Sequence, residues 1–378
     1  MKRRYWKYLT LLANPTRVWA AVVLVGWFLL GVSSVSALPA IVVVEPVGQL
    51  EGPPGDPMSQ PTDVVVQTSG TIWVLDGVNM RLARFSAQHR FERYVALEME
   101  ATSESVTPQQ PTVAPIPPPR PEEFGIFSER PTPELPIPLP EKRGAVSPKK
   151  REAPASRRPV ALGIDGDGRL LVGNREKGTI EILDPQGRRM ATIPIPRDAS
   201  ERPADPTDVL AGSLEGGFWV VDNDNHCVKQ VDGSGRLLRR IGRFGSGVGE
   251  FQYPATIART ADEHFLVVDV LNARVGIFDR AGQPTGTIGG RGVVAGRFFR
   301  PKGVACDGTN RVYVTDSFSG LVQAFELDGR FIGVWGTASG QLHRLRAPAT
   351  ICVGEAHLFY VVEMLANRVS LWRERGRP

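Results

Sequence analysis

The chain has 378 residues, enough for two ordinary domains or one large repeat fold, and 42% hydrophobic with 22% charged residues is a globular composition. Its 40 Gly and 32 Pro argue against a helical protein and for many short strands joined by turns. The net charge of +5 resides in residues 1–37, where Lys2, Arg3, Arg4, Lys7 and Arg17 meet no acid; the rest balances 40 bases against 40 acids, which removes the electrostatic basis for nucleic-acid binding.

Residues 1–37 have the order of an export segment: the basic start MKRRYWK, an apolar run from Val18 to Val32, then SSVSALPA. Val35-Ser36-Ala37 suits cleavage before Leu38. Left uncleaved, residues 16–36 are long enough for a transmembrane helix, with the positive charge on the cytoplasmic side. One route predicts a secreted or periplasmic protein. The other predicts a membrane-anchored one with its body outside the cytoplasm. Cys227, Cys306 and Cys352 are odd in number and widely spaced, so buried thiols are expected rather than a disulfide framework.

From residue 38 onward the chain repeats. Six units open on Pro61, Pro159, Pro206, Pro254, Pro301 and Pro348, and from Pro159 the spacings are 47, 48, 47 and 47. Each unit reads as four short strands: an apolar strand after the proline, a strand such as RVYVTD or TIWVLD, a third such as RVGIFD, and a fourth such as FIGVWG. Four strands every 47 residues mark a propeller blade. The sixth unit stops after three strands. Ala40 to Val47 (AIVVVEPV) therefore is expected to supply its outer strand and close the ring. The domains are then 1–37, an export segment; 38–97, that outer strand plus unit one; 98–158, an insert; and 159–378, units two to six.

The stretch VVDNDNHC, Val220 to Cys227, looks like a metal loop until it is set against the repeat. Asp222-x-x-Asn225-x-Cys227 stands where Asp76-x-x-Asn79-x-Arg81 and Asp269-x-x-Asn272-x-Arg274 stand, and Glu363 with Arg368 repeats the outer pair. Asp316 and Asn174 hold the first position in the other two units. A recurring acid is better read as capping the turn between second and third strands, with the arginine paired across the hairpin, than as a cation site at Asp222, Asp224 and His226. These units resemble NHL repeats, named for an Asn-His-Leu run that here is Asn225-His226-Cys227. The resemblance covers about Pro46 to Arg375 apart from the insert, and it implies a six-bladed β-propeller.

Residues 98–158 interrupt the pattern with Pro-rich and basic stretches such as PIPPPRPEEF and SPKKREAPASRR, a composition expected to stay disordered. The Gly-rich links, GRFGSGVGEF and GGRGVVAGRF, read as turns between blades rather than phosphate loops, since they precede strands and recur.

An amidating lyase on an NHL-like propeller holds zinc with histidines near its central channel. Here His89, His264 and His357 fall in loops on one face and His226 and His343 in loops on the other, so three do not converge. The first strands do carry acids, Asp63 and Asp208, each two residues after its proline and both candidates for a calcium site at the channel mouth. The reading that follows is an all-β six-bladed propeller acting as a non-catalytic scaffold for a protein partner at the outer face of the cytoplasmic membrane, without a cofactor. Its binding face would hold Arg81, Asn225, His226, Arg274, Phe318 and Arg368. The alternative is a metal-dependent lyase or hydrolase using Asp63 and Asp208.

Overall fold

The computed structural model describes residues 39–97, 159–212 and 217–376. The export segment with its 16–36 span, and the insert 98–158, lie outside the described residues. Among the described residues no helix is long and apolar enough to cross a membrane.

Every regular element apart from short 3₁₀ turns is a strand. After β1 (Ile41–Leu50), unit one folds as β2 (Asp63–Val66), β3 (Ile72–Asp76), β4 (Arg81–Phe85) and β5 (Phe91–Ala96). Unit two is β6 (Leu162–Ile164), β7 (Leu170–Asn174), β8 (Thr179–Leu183) and β9 (Arg189–Pro194). Unit three is β10 (Pro206–Ala211), β11 (Phe218–Asp222), β12 (Cys227–Val231) and β13 (Leu237–Ile241). Unit four is β14 (Pro254–Arg259), β15 (Phe265–Asp269), β16 (Arg274–Phe278) and β17 (Pro284–Gly289). Unit five is β18 (Pro301–Cys306), β19 (Val312–Asp316), β20 (Leu321–Phe325) and β21 (Phe331–Gly336). The last three strands are β22 (Pro348–Val353), β23 (Leu358–Glu363) and β24 (Arg368–Glu374).

Units one to four each form an antiparallel four-stranded sheet, and the remaining strands form one eight-stranded sheet in the order β18-β19-β20-β21-β1-β24-β23-β22. The first strands touch one another in the cyclic order β2, β6, β10, β14, β18, β22 and back to β2, so the sheets surround a common axis. The architecture is all-β and propeller-like. The second strands, such as IWVLD and FWVVD, are buried at every position because both their faces pack against neighbouring sheets. Fourth strands such as β9 and β13 are largely exposed. β-Branched and aromatic residues fill these strands because they suit a pleated, packed surface.

β1 runs antiparallel to β24 from Val44↔Glu374 to Leu50↔Val369, and its first residues run parallel to β21, with Ile41 opposite Val334. The chain start therefore covers the edges of two sheets and removes open strand edges. It extends to Leu50, beyond the expected Val47. Apolar side chains between adjacent sheets make the core. Around β1 they include Val42, Tyr313, Trp335, Phe359 and Trp372, with the Trp335 and Phe359 rings 5.1 Å apart.

The acids ending five of the six second strands do more than cap their own turns; unit two has Asn174 there. Asp76 accepts from the Ser59 backbone N–H, Asp222 from Asp205, Asp269 from Gln252, Asp316 from Phe299 and Glu363 from Arg346. Each of these amides belongs to the link entering the unit. The same carboxylates also hold Asn79, Asn225 and Asn272 and pair with Arg81, Arg274 and Arg368. In unit three, where Cys227 replaces the arginine, the cation comes from Lys229 two residues on. It is 1% exposed and bonds Asp222 at 2.9 Å, Glu201 at 2.6 Å and the Pro196 carbonyl. The turn-capping expectation holds for Asp316, which accepts from the Phe318 and Ser319 amides, and for Asn174, which accepts from Lys177. The links need glycine for close approach. Gly242 (φ 83°) and Gly289 (φ 83°) have positions where a Cβ would lie 2.3 and 2.2 Å from the rings of Phe251 and Phe298.

Removing the clamp leaves a partly buried Arg274 charge without its carboxylate and an unsatisfied link amide. Asp269→Ala is expected to lower the unfolding free energy by about 3 kcal/mol. Asp279→Ala, in an exposed hairpin turn, should cost about 1 kcal/mol or less. Urea unfolding of the two variants checks the difference.

Candidate functional site

The charged residues of the six first strands are Asp63, Asp208, Arg259 and Lys302. Asp63 opens β2 and Asp208 lies in β10, and both are buried. Their bonding is the same. Oδ1 accepts the next residue's N–H, Val64 at 2.8 Å and Val209 at 2.7 Å. Oδ2 accepts an N–H from another unit's first strand, Leu162 at 2.8 Å and Ile257 at 2.8 Å. Elsewhere around the axis threonines make comparable ties: Thr256 donates to the Lys302 carbonyl, Thr315 to Ala349, and Thr350 to Thr62.

Burial, reinforced by the charge of Asp208, raises the Asp63 carboxyl well above the usual carboxylate range. Burial pushes Asp208 up to about 7, despite its two backbone hydrogen bonds. On β18, burial and then Arg300 lower the Lys302 amine. Cys352 stands near enough to Asp63 to feel its charge, and burial pushes that thiol up to about 12. Burial does the same to Cys227 and Cys306, and all three cysteines are free thiols. The wall around the axis thus holds two carboxyl groups that burial raises above the usual range, Asp208 to about 7, the kind of shift found in catalytic acids and bases.

The same pair is a poor metal cage. Among the described residues no three His, Cys, Asp or Glu side chains converge on one point. The histidines are engaged apart from one another: His89 meets the Tyr360 hydroxyl, His226 accepts from the Tyr253 N–H, and His343 meets the Val44 carbonyl. Asp63 and Asp208 are two charged ligands where calcium takes six to eight oxygens, and each of their oxygens already accepts an N–H.

Arg81, Asn225, His226, Arg274, Phe318 and Arg368, the residues expected to form a binding face, lie in or just after the turns between second and third strands, beside the links. Most are occupied there. Arg81 bonds Asp76 and the Pro57 carbonyl and lies 3.4 Å over the Tyr94 ring. Asn225 bonds the backbone of Arg202 in both directions. Arg274 bonds the Gly247 and Glu250 carbonyls, and Arg368 bonds Gln49. His226 packs on Phe244 and Tyr253. Phe318 is the exposed one, stacked on Phe299 at 4.1 Å. Sequence reasoning missed its exposed apolar companions on this face, Phe244, Val248, Val293, Val294 and Leu365. The apolar letters inside the Gly-rich links were the available signal.

No protein-family model matches the chain, and no curated protein does. Solved structures match its shape. A streptogramin B lyase aligns with a TM-score of 0.55 at 11% identity, over 88% of this chain and 97% of that one. A virginiamycin B lyase from Staphylococcus aureus aligns at 0.54 and 12%, over 87% and 85%. A gluconolactonase from Xanthomonas campestris aligns at 0.53 and 12%, over 89% and 97%. The fold is that of a β-propeller. The expectation of a non-catalytic protein-binding scaffold is corrected by the same finding: the propellers matched across most of both chains are enzymes, and the alternative reading fits them better.

The raised carboxyls set a pH dependence. Unfolded, Asp208 titrates near 3.8; folded, near 7. Between those values the unfolded chain has already released its proton, so rising pH favours unfolding. Stability contributed by this group is full below about pH 4 and is lost as pH rises to about 7. Denaturant midpoints of the wild type should fall across this window, and those of Asp208→Asn should fall less.

Proposed function

We propose that the chain is a six-bladed, NHL-type propeller enzyme, a lyase or hydrolase, with its reaction at the mouth of the central channel. The observation that carries this reading is the buried pair Asp63 and Asp208, two carboxyl groups on first strands whose protons are held up toward neutral pH. A carboxyl near pH 7 passes a proton in either direction at low cost. In this reading Asp208 gives or takes the proton at the scissile bond. Asp63, raised by burial and by the charge of Asp208, is the group that donates to developing negative charge. The backbone N–H bonds from Val64, Leu162, Val209 and Ile257 fix both groups in place. The lyases and the gluconolactonase of the same fold support this class of reaction. The export segment supports a location at the outer side of the cytoplasmic membrane, anchored or released.

The test is turnover of a panel of lactones and cyclic esters by the full chain, with and without chelator. Asp208→Asn and Asp63→Asn should each lower the rate by about 10²-fold. Asp232→Asn, in a remote hairpin turn, should leave it unchanged. A rate indifferent to both inner aspartates would overturn the assignment. Loss of rate on chelation, restored by calcium, would show that a cation completes the site.

A further inference from the structure

The two faces of the propeller differ in kind. On the link face, the links entering units four, five and six expose Arg243, Arg291, Arg297, Arg300, Arg344 and Arg346. Glu250 is the one acid in those three links, and it is already paired with Arg243 at 2.9 Å. Among these arginines stand apolar side chains turned to solvent: Phe244 (64% exposed), Val248 (79%), Val293 (69%), Val294 (65%), Phe318 (58%) and Leu365 (60%). The hydrogen bonds that hold the links place all of them on one side. Arg274 reaches Gly247, Arg291 reaches Leu271, and Leu365 donates to Arg346. The opposite face carries hairpin turns headed by Asp165, Asp184, Asp232, Asp279, Asp307 and Glu326, and in four of them the acid is paired with an arginine of the same turn, Arg169, Arg188, Arg236 and Arg330.

Exposed apolar groups in mobile water are costly unless something covers them. Apolar tips ringed by arginine fit the boundary between lipid headgroups and acyl chains, where the tips bury and the guanidinium groups meet phosphate. The charge of the links selects an anionic surface. We infer that the link face of units four to six docks flat on an anionic lipid bilayer, with the charge-balanced hairpin turns facing away. This is independent of the reaction assigned to the channel.

The test is amide hydrogen exchange of the full-length chain mixed with vesicles of phosphatidylcholine, or of phosphatidylcholine with an equal share of phosphatidylglycerol. Residues 243–251, 290–298 and 317–319 are expected to exchange at least several-fold more slowly on the anionic vesicles. That protection should fall at high salt and disappear in the triple variant Val248→Ser, Val294→Ser, Phe318→Ser, whose circular dichroism should match the wild type. Equal exchange on both lipids would overturn the inference. So would protection that survives in the triple variant, or protection of the hairpin turns of the opposite face in place of the links.

Discussion

A buried acid at the end of a second strand holds this molecule together. It receives the amide of the link arriving from the unit before, and it meets a cation from the strand after. One carboxylate thus joins three pieces of chain that are distant in sequence. Such a group is costly to bury alone, so each must be matched. The match is an arginine in units one, four and six, and Lys229 in unit three. In unit five Asp316 is matched by the amides of Phe299, Arg300, Phe318 and Ser319, while Gln323 ties the link through Gly296 and Arg297; unit two has Asn174 in place of the acid. The substitution of one partner by another at a different position shows that the constraint lies on the acid's environment, and not on any single letter of the repeat.

The wall around the axis solves a related problem in another way. First strands of neighbouring sheets approach each other at their edges, and each edge presents backbone groups that need partners. Threonines supply them in three places, and aspartates in two. An aspartate costs more there, because its charge has little water and no cation beside it. The result is two carboxyl groups whose burial raises them above the usual carboxylate range.

The loops divide the molecule into two faces for reasons that follow from their jobs. Hairpin turns on one face use aspartate to bond their own backbone amides, as Asp232 does with Ser234 and Arg236. Links on the other face have their amides held by the second-strand acids, so their own side chains are released for other uses. Apolar residues and arginines occupy those free positions in units four to six.

Much of this was legible in the sequence. The proline spacing of about 47 residues, the strand pattern, the missing last strand and its replacement near Ala40 are local or periodic signals, and each arises because every unit must bury the same faces. Asp63 and Asp208 could be singled out by position alone. What the sequence could not determine were relations between units. Asp222 was readable as a turn cap, but its hold on Asp205 depends on where the incoming link lies. Lys229 reads as a solvated strand residue until three acceptors close around it. The protonation of Asp208 depends on burial beneath neighbouring sheets, and the exposure of Val248 and Phe318 on which loops share a face. Repetition along the chain determined the architecture; proximity across the ring, which no single unit encodes, decided where charge is buried and what the surface presents.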